Sequence, residues 1–287
     1  MQSIANHSTF AWLDFIFRDG NSVINKEKVL ITGPTSGIGL ELARLFAMNN
    51  YELILVGRNR QKLIELQRLW KYEFNSTIHM IEEDLALPDA AKKIIQTVSE
   101  RGLSIDILVN NAGFGAYGPF TQTSLTKELE MIQVNVIALT SLTKLVSCEM
   151  VKQGNGKILN LSSVAGFQPG GPLMAVYYAT KAYVLSFSEA LANELEEAGV
   201  QVSVLCPGPT ATRFEKRANL EQSKLFQRNI MTAEEVARIA FREFMRGKRL
   251  IVPGTTNRIL ARSVRFLPRK VVTGMVRRIQ EERNPDQ

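Results

Sequence analysis

The stretch "KVLITGPTSGIGLELARLF", residues 28–46, decides the fold of this 287-residue chain. It opens with a short apolar run that includes β-branched residues, a pattern typical of a buried strand. Gly33, Gly37 and Gly39 follow, and the apolar spacing of the remaining residues is typical of a helix. The stretch therefore predicts a strand, a glycine-rich turn and a helix in succession.

The same alternation continues along the chain. Further short apolar runs occur at 52–56, 77–81, 105–110, 157–161, 200–206 and 248–252. Amphipathic segments separate nearly all of them, including 124–152, 178–198 and 232–246, the last of which opens with Thr232 and Glu235 in capping-box spacing. Buried strands that alternate with helices of more than about ten residues are typical of a parallel sheet with helices on both faces. We predict one α/β domain at 27–254, doubly wound and Rossmann-like, with a mostly parallel sheet of about seven strands.

The composition is that of a globular protein and limits its partners. The formal net charge of +7 favours anions such as a phosphorylated cofactor or a membrane surface. Nucleic acid is not expected, because the basic residues are not interleaved with stacking aromatics on a sheet face. Cys148, Cys206, His7 and His79 form no disulfide or metal-ligand pattern. We therefore predict no metal site and a reducing compartment, the cytoplasm.

The N-terminal stretch "STFAWLDFIF", residues 8–17, is apolar but interrupted by Asp14. It is too short to span a bilayer, which takes about 20 residues, and it lacks the features of a secretory signal. We interpret residues 1–26 as an N-terminal extension, and we expect no other stretch to be long and uncharged enough to cross a membrane.

The glycine-rich turn has the position of a dinucleotide-binding loop. The first turn of the following helix presents free N–H groups and the positive end of the helix dipole to an anion such as a pyrophosphate. Its place between the first strand and the first helix is the context that such a loop requires. A purely structural turn is the alternative.

The motifs along the chain resemble those of the short-chain dehydrogenase/reductase family. "TGPTSGIG" matches the TGxxxGxG signature of that family, and its other signatures follow in order: "NNAG" at 110–113, Asn135 in "QVNVIAL", "NLSSVAG" at 160–166, "YYATK" at 177–181 and "CPGPTAT" at 206–212. The resemblance covers about residues 27–254. The stretch "AVYYATKAYVLSFSEAL" at 175–191 is also similar to a DltE-like branch of the family.

The resemblance implies a catalytic Tyr-x₃-Lys pair. Only Tyr177 stands four residues before Lys181, whereas Tyr178 is rotated by about 100° on the helix and is expected to pack or line the substrate pocket. Positions i and i+4 share a helix face, so both side chains can reach one cofactor. We expect the Lys181 ammonium and the charge of the nicotinamide to lower the pKa of the Tyr177 phenol.

Two further catalytic roles follow from the same resemblance. Ser163 is expected to hydrogen-bond the substrate oxygen, with Ser162 as the competing choice. Asn135 is expected to hold a water that links Lys181 to solvent. The alternative is that these side chains are ordinary helix and loop residues.

The end of the second strand predicts the cofactor. It carries Arg58 and no acid, and arginine suits the 2′-phosphate of NADP(H), whereas an acid would favour NAD. A solvated basic loop is the alternative. The resemblance assigns the adenine to Asp84, its ribose to Asn111, and the nicotinamide carboxamide to the loop after the sixth strand. The full predicted set of cofactor contacts is Gly33, Thr35, Ser36, Gly37, Ile38, Gly39, Arg58, Asp84, Leu85, Asn111, Ala112, Gly113, Tyr177, Lys181, Pro207, Gly208, Thr210 and Thr212.

The substrate region and the tail are less specific. The stretch "FQPGGPLMAVYY" at 167–178 and Phe114 are apolar and aromatic, which favours a lipid-like or acyl carbonyl compound. Residues 210–231 are the expected substrate lid.

The tail, residues 255–287, has two apolar stripes separated by Pro268. The first consists of Leu260, Val264 and Leu267, with Arg258, Arg262 and Arg265 on the opposite side of the helix. The second consists of Val272, Val276 and Ile279. Such a helix binds a membrane surface or a partner, or docks on its own domain or a second subunit.

Two functions from different classes fit these residues. The first is an NADP(H)-dependent oxidoreductase that transfers hydride between the nicotinamide and a ketone or secondary alcohol, with a lipid-like or 3-oxoacyl compound as substrate. The second is a dinucleotide-sensing protein that binds a partner or membrane through its tail. The helices at 124–152 and 178–198 could pair two copies into a homo-oligomer.

Overall fold

The structure is a computed structural model that describes residues 26–212 and 230–280. Almost all of the expected N-terminal extension and most of the expected substrate lid lie outside these residues. The described part has the predicted α/β fold, with a seven-stranded sheet in which every neighbouring pair is parallel.

The strands and helices follow the predicted order. The strands are β1 (Lys28–Thr32), β2 (Glu52–Gly57), β3 (Ile78–Glu82), β4 (Ile107–Asn110), β5 (Gly156–Leu161), β6 (Val200–Leu205), β7 (Thr210–Ala211), β8 (Met231–Thr232) and β9 (Leu250–Ile251). The helices are α1 (Gly37–Met48), α2 (Arg60–Phe74), α3 (Ala90–Glu100), α4 (Leu125–Ile132), α5 (Leu139–Gln153), α6 (Ala175–Glu194), α7 (Ala233–Met245), α8 (Thr255–Ser263) and α9 (Arg269–Gln280). A π-helical segment, Gln133–Ala138, joins α4 to α5.

The strand order β3-β2-β1-β4-β5-β6-β9 positions the site. The chain adds β2 and β3 on one side of β1 and then crosses to add β4 on the other side. The loops that leave β1 and β4 therefore diverge and open a crevice at the carboxyl ends of the strands. The short strands β7 and β8 form a separate parallel pair beside this edge.

The apolar strands are buried because helices cover both faces of the sheet. Val29 and Ile31 of β1 face the core that includes Phe46 of α1 and Phe244 of α7. Leu30, between them, faces the opposite core, which includes side chains of α3 and α5. The strands therefore show continuous apolar runs rather than the alternation of a half-exposed sheet.

One long helix corrects the expectation about membrane spans. The α4, π-helical and α5 segments form a continuous helix, Leu125–Gln153, that is long and apolar enough to cross a membrane, with a mean hydropathy of 1.4 in its most apolar window. That window is 44% buried inside the domain, and Leu142 and Val146 pack in the core against the sheet. A core helix of a globular domain passes the same length and composition test, so we assign this helix to the core.

The tail packs on its own domain. Pro268 separates α8 from α9, as predicted, and Val272 and Val276 are buried against Met174 and Tyr178. Other residues of the predicted stripes are exposed, namely Leu260 and Leu267 of the first stripe and Ile279 of the second. The two tail helices are thus part of the packed structure. The predicted boundary between a domain and a separate tail at residue 254 stays a prediction.

The core between the sheet, α1 and α7 should dominate stability. Phe244 is fully buried there, so we expect Phe244→Ala to lower the free energy of unfolding by about 3–5 kcal/mol through lost burial and a cavity. Tyr72→Ala is the control, because Tyr72 is 90% exposed and its loss should change stability by less than about 0.5 kcal/mol. Urea unfolding of both variants measures the difference, and equal losses would contradict this assignment of the core.

Candidate active site

A cavity of about 1190 Å³ runs along the carboxyl edge of the sheet. Its walls come mainly from the loops after β1 to β6, from α4 and α6, and from the two tail helices. All of the predicted site residues line it except Gly39 and Asn135, which lie directly behind the wall. Among the described residues, no group of three or more His, Cys, Asp or Glu side chains could hold a metal ion.

The loop after β1 has the conformation that the predicted glycine-rich turn requires. Gly33 and Gly37 have φ values of +66° and +59°, a left-handed conformation that glycine adopts without strain. Helix α1 starts at Gly37, and within the described chain the Ser36 side chain makes no capping hydrogen bond to it. Gly37 and Ile38 of its first turn line the cavity, where a phosphate group could accept from free first-turn N–H groups.

Gly39 supports this loop from behind. A Cβ atom at this position would collide with the Asn111 side chain and with the Gly33 carbonyl. The Asn111 Nδ2 atom donates to the carbonyl oxygens of Thr32 and Gly33, at 3.0 Å each. Glycine is therefore required here for the approach of α1 to the loop after β4.

The end of β2 carries a solvent-accessible cation. The Arg58 side chain is 71% exposed, and its nearer guanidinium nitrogen lies 3.8 Å from an Asp84 carboxylate oxygen. The other Asp84 oxygen accepts from the Ala86 N–H at 3.0 Å, which shapes the loop after β3. An exposed ion pair at this distance is weak, so the guanidinium can turn to a phosphate.

Tyr177 and Lys181 lie one turn apart on α6 and line the same part of the cavity. The Lys181 ammonium is 5.8 Å from the centre of the Tyr177 ring and donates to the Leu161 carbonyl at 2.8 Å. Ser163 is hydrogen-bonded to the Tyr177 side chain. The structure thus brings a phenol, a hydroxyl and an ammonium together beyond the end of β5.

The two adjacent serines have different surroundings. The Ser162 hydroxyl is buried and donates to the Lys181 carbonyl at 2.7 Å, which ties β5 to α6. The Ser163 hydroxyl accepts from the Ala165 N–H at 3.1 Å and faces Tyr177. Ser163 is therefore better placed than Ser162 to contact a molecule in the cavity.

Burial dominates the pKa values of the pair. Desolvation raises the pKa of Tyr177 to about 12, although the hydrogen bond with Ser163 acts in the opposite direction. Desolvation also lowers the pKa of Lys181 to about 8. The protein's own groups therefore raise the pKa of Tyr177 and do not lower it as expected. The cost of burying a phenolate exceeds the stabilisation that the Ser163 hydrogen bond gives it.

Asn135 lies in the π-helical segment and is almost fully buried. Its Oδ1 atom accepts from the Phe114 N–H at 3.1 Å, and its Nδ2 atom donates to the Phe114 carbonyl and to the Thr180 hydroxyl. A Cβ atom on Gly113 would contact both Asn135 and Lys181. Asn135 thus fixes the loop after β4 against α6, beside the catalytic candidates.

Sequence reasoning missed a polar contact between the tail and the cavity wall. The Gln280 side-chain amide donates to the Tyr178 hydroxyl at 2.7 Å, and the Tyr117 hydroxyl donates to the Gln280 carbonyl at 2.8 Å. The available signal in the sequence was the four-residue spacing that places polar Gln280 on the same helix face as Val272 and Val276. Tyr178 therefore fixes α9 as part of the cavity wall.

The fold and the site define a dinucleotide-binding oxidoreductase, since the glycine-rich turn and the Ser-Tyr-Lys cluster share one crevice. Residues 27–223 match the short chain dehydrogenase family. The chain therefore belongs to this family of oxidoreductases.

Relatives and solved structures agree with this assignment. The chain is 32% identical to an uncharacterized oxidoreductase of Staphylococcus epidermidis over 72% of this chain and 89% of that protein. It is 36% identical to the very-long-chain 3-oxoacyl-CoA reductase of Rattus norvegicus, over 66% of this chain and 61% of that protein. A short-chain dehydrogenase from Sphingobium yanoikuyae, solved in complex with NADPH, has a TM-score of 0.76 and 31% identity, covering 89% of this chain and 98% of that one. The DltE-like branch stays a prediction.

The lowered pKa of Lys181 makes stability depend on pH. Between about pH 8 and pH 10 the unfolded chain keeps a proton that folded Lys181 has lost, so this lysine makes the free energy of unfolding rise with pH. The slope approaches about 1.4 kcal/mol per pH unit, and below this window both states are protonated and the contribution is constant. Urea unfolding of wild type and Lys181→Met across this range tests it. A stability difference between them that does not change with pH would contradict the shift.

Proposed function

We propose that this protein is an NADP(H)-dependent carbonyl reductase that transfers hydride between the nicotinamide and a lipid-like ketone, with Tyr177 as the general acid. One observation carries the proposal. The Tyr177 phenol, bonded to Ser163 and one turn from Lys181, lines the same cavity as the glycine-rich turn and Arg58.

The proposed dinucleotide would lie along the cavity wall. We assign the pyrophosphate to the loop after β1 and the start of α1, because Gly37 and Ile38 of the first helical turn line the cavity. Asp84 and Leu85 would border the adenine, with Arg58 on the 2′-phosphate and 111–113 on the ribose. Pro207, Gly208, Thr210 and Thr212 would hold the carboxamide, and bound NADPH supplies a hydride to the carbonyl carbon.

Side chains of the protein donate the proton to the substrate and replace it from solvent. With a pKa of about 12, Tyr177 is protonated at neutral pH and can donate its proton to the carbonyl oxygen as the hydride arrives. Ser163 holds that oxygen beside the phenol. Lys181, with a pKa of about 8, carries its charge at neutral pH and stabilises the phenolate that remains. A water on Asn135 would return a proton from solvent through Lys181.

The apolar far end of the cavity supports a lipid-like substrate. Beyond Tyr177 the lining side chains are mainly aliphatic, namely Ala165, Met174, Val264, Leu267, Val272, Met275, Val276 and Ile279. Such a surface binds a hydrocarbon chain by removing it from water. The similarity to a rat very-long-chain 3-oxoacyl-CoA reductase supports the same class of compound.

Removal of the Tyr177 hydroxyl should distinguish the proposed catalytic tyrosine from another tyrosine on the same helix. We expect Tyr177→Phe to lower kcat with NADPH and a panel of long-chain ketones by at least about 100-fold, because the proton donor is lost, while NADPH still binds. Tyr183→Phe is the control, since Tyr183 lies on the exposed side of α6 and bonds Thr140, and it should keep full activity. Wild-type protein that binds NADPH but reduces no ketone would support the dinucleotide-sensing alternative instead.

The choice of cofactor depends on Arg58. We expect Arg58→Ala to weaken NADPH binding by about 10- to 100-fold, as for the loss of a charge-assisted hydrogen bond, and to leave NADH binding unchanged. Arg44→Ala removes the same charge from the exposed side of α1 and should change neither. Titration calorimetry with both dinucleotides measures this, and equal losses for NADPH and NADH would rule out a 2′-phosphate contact.

A further inference from the structure

The surface of the two tail helices is strongly basic. Residues 255–280 contain seven basic side chains and no acid, and all seven are exposed: Arg258, Arg262, Arg265, Arg269, Lys270, Arg277 and Arg278. Acidic residues return only beyond the second helix, at Glu281, Glu282 and Asp286. This concentration of charge attracts an anionic partner.

The same surface is also apolar. Helix α9 carries two neighbouring stripes with a four-residue spacing. Val272 and Val276 face the domain, whereas Val271, Met275 and Ile279 are exposed. Helix α8 and the turn after it add further exposed apolar side chains, Ile259, Leu260, Phe266 and Leu267, of which Phe266 is 86% exposed. Exposed apolar side chains surrounded by cations are typical of helices that lie in a membrane interface.

The mouth of the cavity opens on this surface. Leu260, Leu267, Met275 and Ile279 line the cavity and are also each at least 41% exposed. A side chain that does both lies at the rim. The rim on this side is therefore aliphatic and continuous with the exposed stripe of α9.

We propose that the α8–α9 surface docks on an anionic lipid bilayer, and that the cavity takes up its apolar substrate directly from the membrane. The charge selects this occupant. A second copy of the chain would bring two sets of seven cations together, which is unfavourable. An anionic bilayer offers negative headgroups to the cations and an apolar layer to the exposed stripe. The route of the substrate rests on the proposed function, whereas the docking does not.

The test uses the full chain and sedimentation with phosphatidylcholine vesicles, with and without phosphatidylserine. Wild type should bind the anionic vesicles and lose this binding as salt is added. Arg262→Glu/Arg265→Glu and Ile259→Ser/Phe266→Ser should each bind at least about tenfold more weakly. None of these four side chains lines the cavity, so NADPH oxidation with a short, water-soluble ketone should not change.

A matched control distinguishes an effect of the tail surface from an effect of the protein's net charge. Arg68→Glu/Lys71→Glu makes the same change of charge on the exposed side of α2 and should bind vesicles as wild type does. Equal binding of this control and the tail variants, or no binding of wild type to anionic vesicles, would overturn the proposal. So would a dimer, seen by sedimentation velocity, that the tail variants abolish. Vesicle binding without reduction of any ketone would leave the docking intact and remove the proposed function.

Discussion

The reversal of strand order at β1 is the constraint on which the site depends. All seven strands of the main sheet run in one direction, so their carboxyl ends share one edge, and the loops after β1 and β4 diverge there. Asn111 bonds both Thr32 and Gly33 and thereby holds the two loops at a fixed separation. The crevice is a property of topology, and its two loops are also joined by the Thr32 hydroxyl, which accepts from the N–H groups of Asn111 and Ala112.

Burial of the reactive pair has a cost that the fold must offset. A buried ammonium loses its hydration, and the Leu161 carbonyl returns one strong hydrogen bond at 2.8 Å to Lys181. The same low-dielectric surroundings hold Tyr177 in its neutral form, with its pKa raised to about 12. The protein alone therefore keeps this phenol protonated at neutral pH, as the proposed role of general acid requires.

The sequence predicts the elements better than the packing of the tail. Strand patterns and the capping box at Thr232 and Glu235 are local signals, and both are present in the structure. The spacing of Tyr177 and Lys181 likewise predicts a shared face, but the pKa of each group depends on burial, which spacing does not contain. For the tail, a helical wheel identifies apolar stripes, but it does not show which of them packs against the domain. The first stripe, with Leu260, proved to be largely exposed.

The two adjacent tyrosines show how the chemistry and the tail are connected. Tyr177 turns its hydroxyl to Ser163 in the cavity, whereas Tyr178, one position on, receives a hydrogen bond from Gln280 at the end of α9. The rings are 6.2 Å apart, edge to face. Because one helix turn carries both contacts, a displacement of α9 from Tyr178 would move a wall of the cavity beside the Tyr177 hydroxyl. The tail is therefore part of the cavity wall, and its position and that of the proposed proton donor are fixed by the same segment of α6.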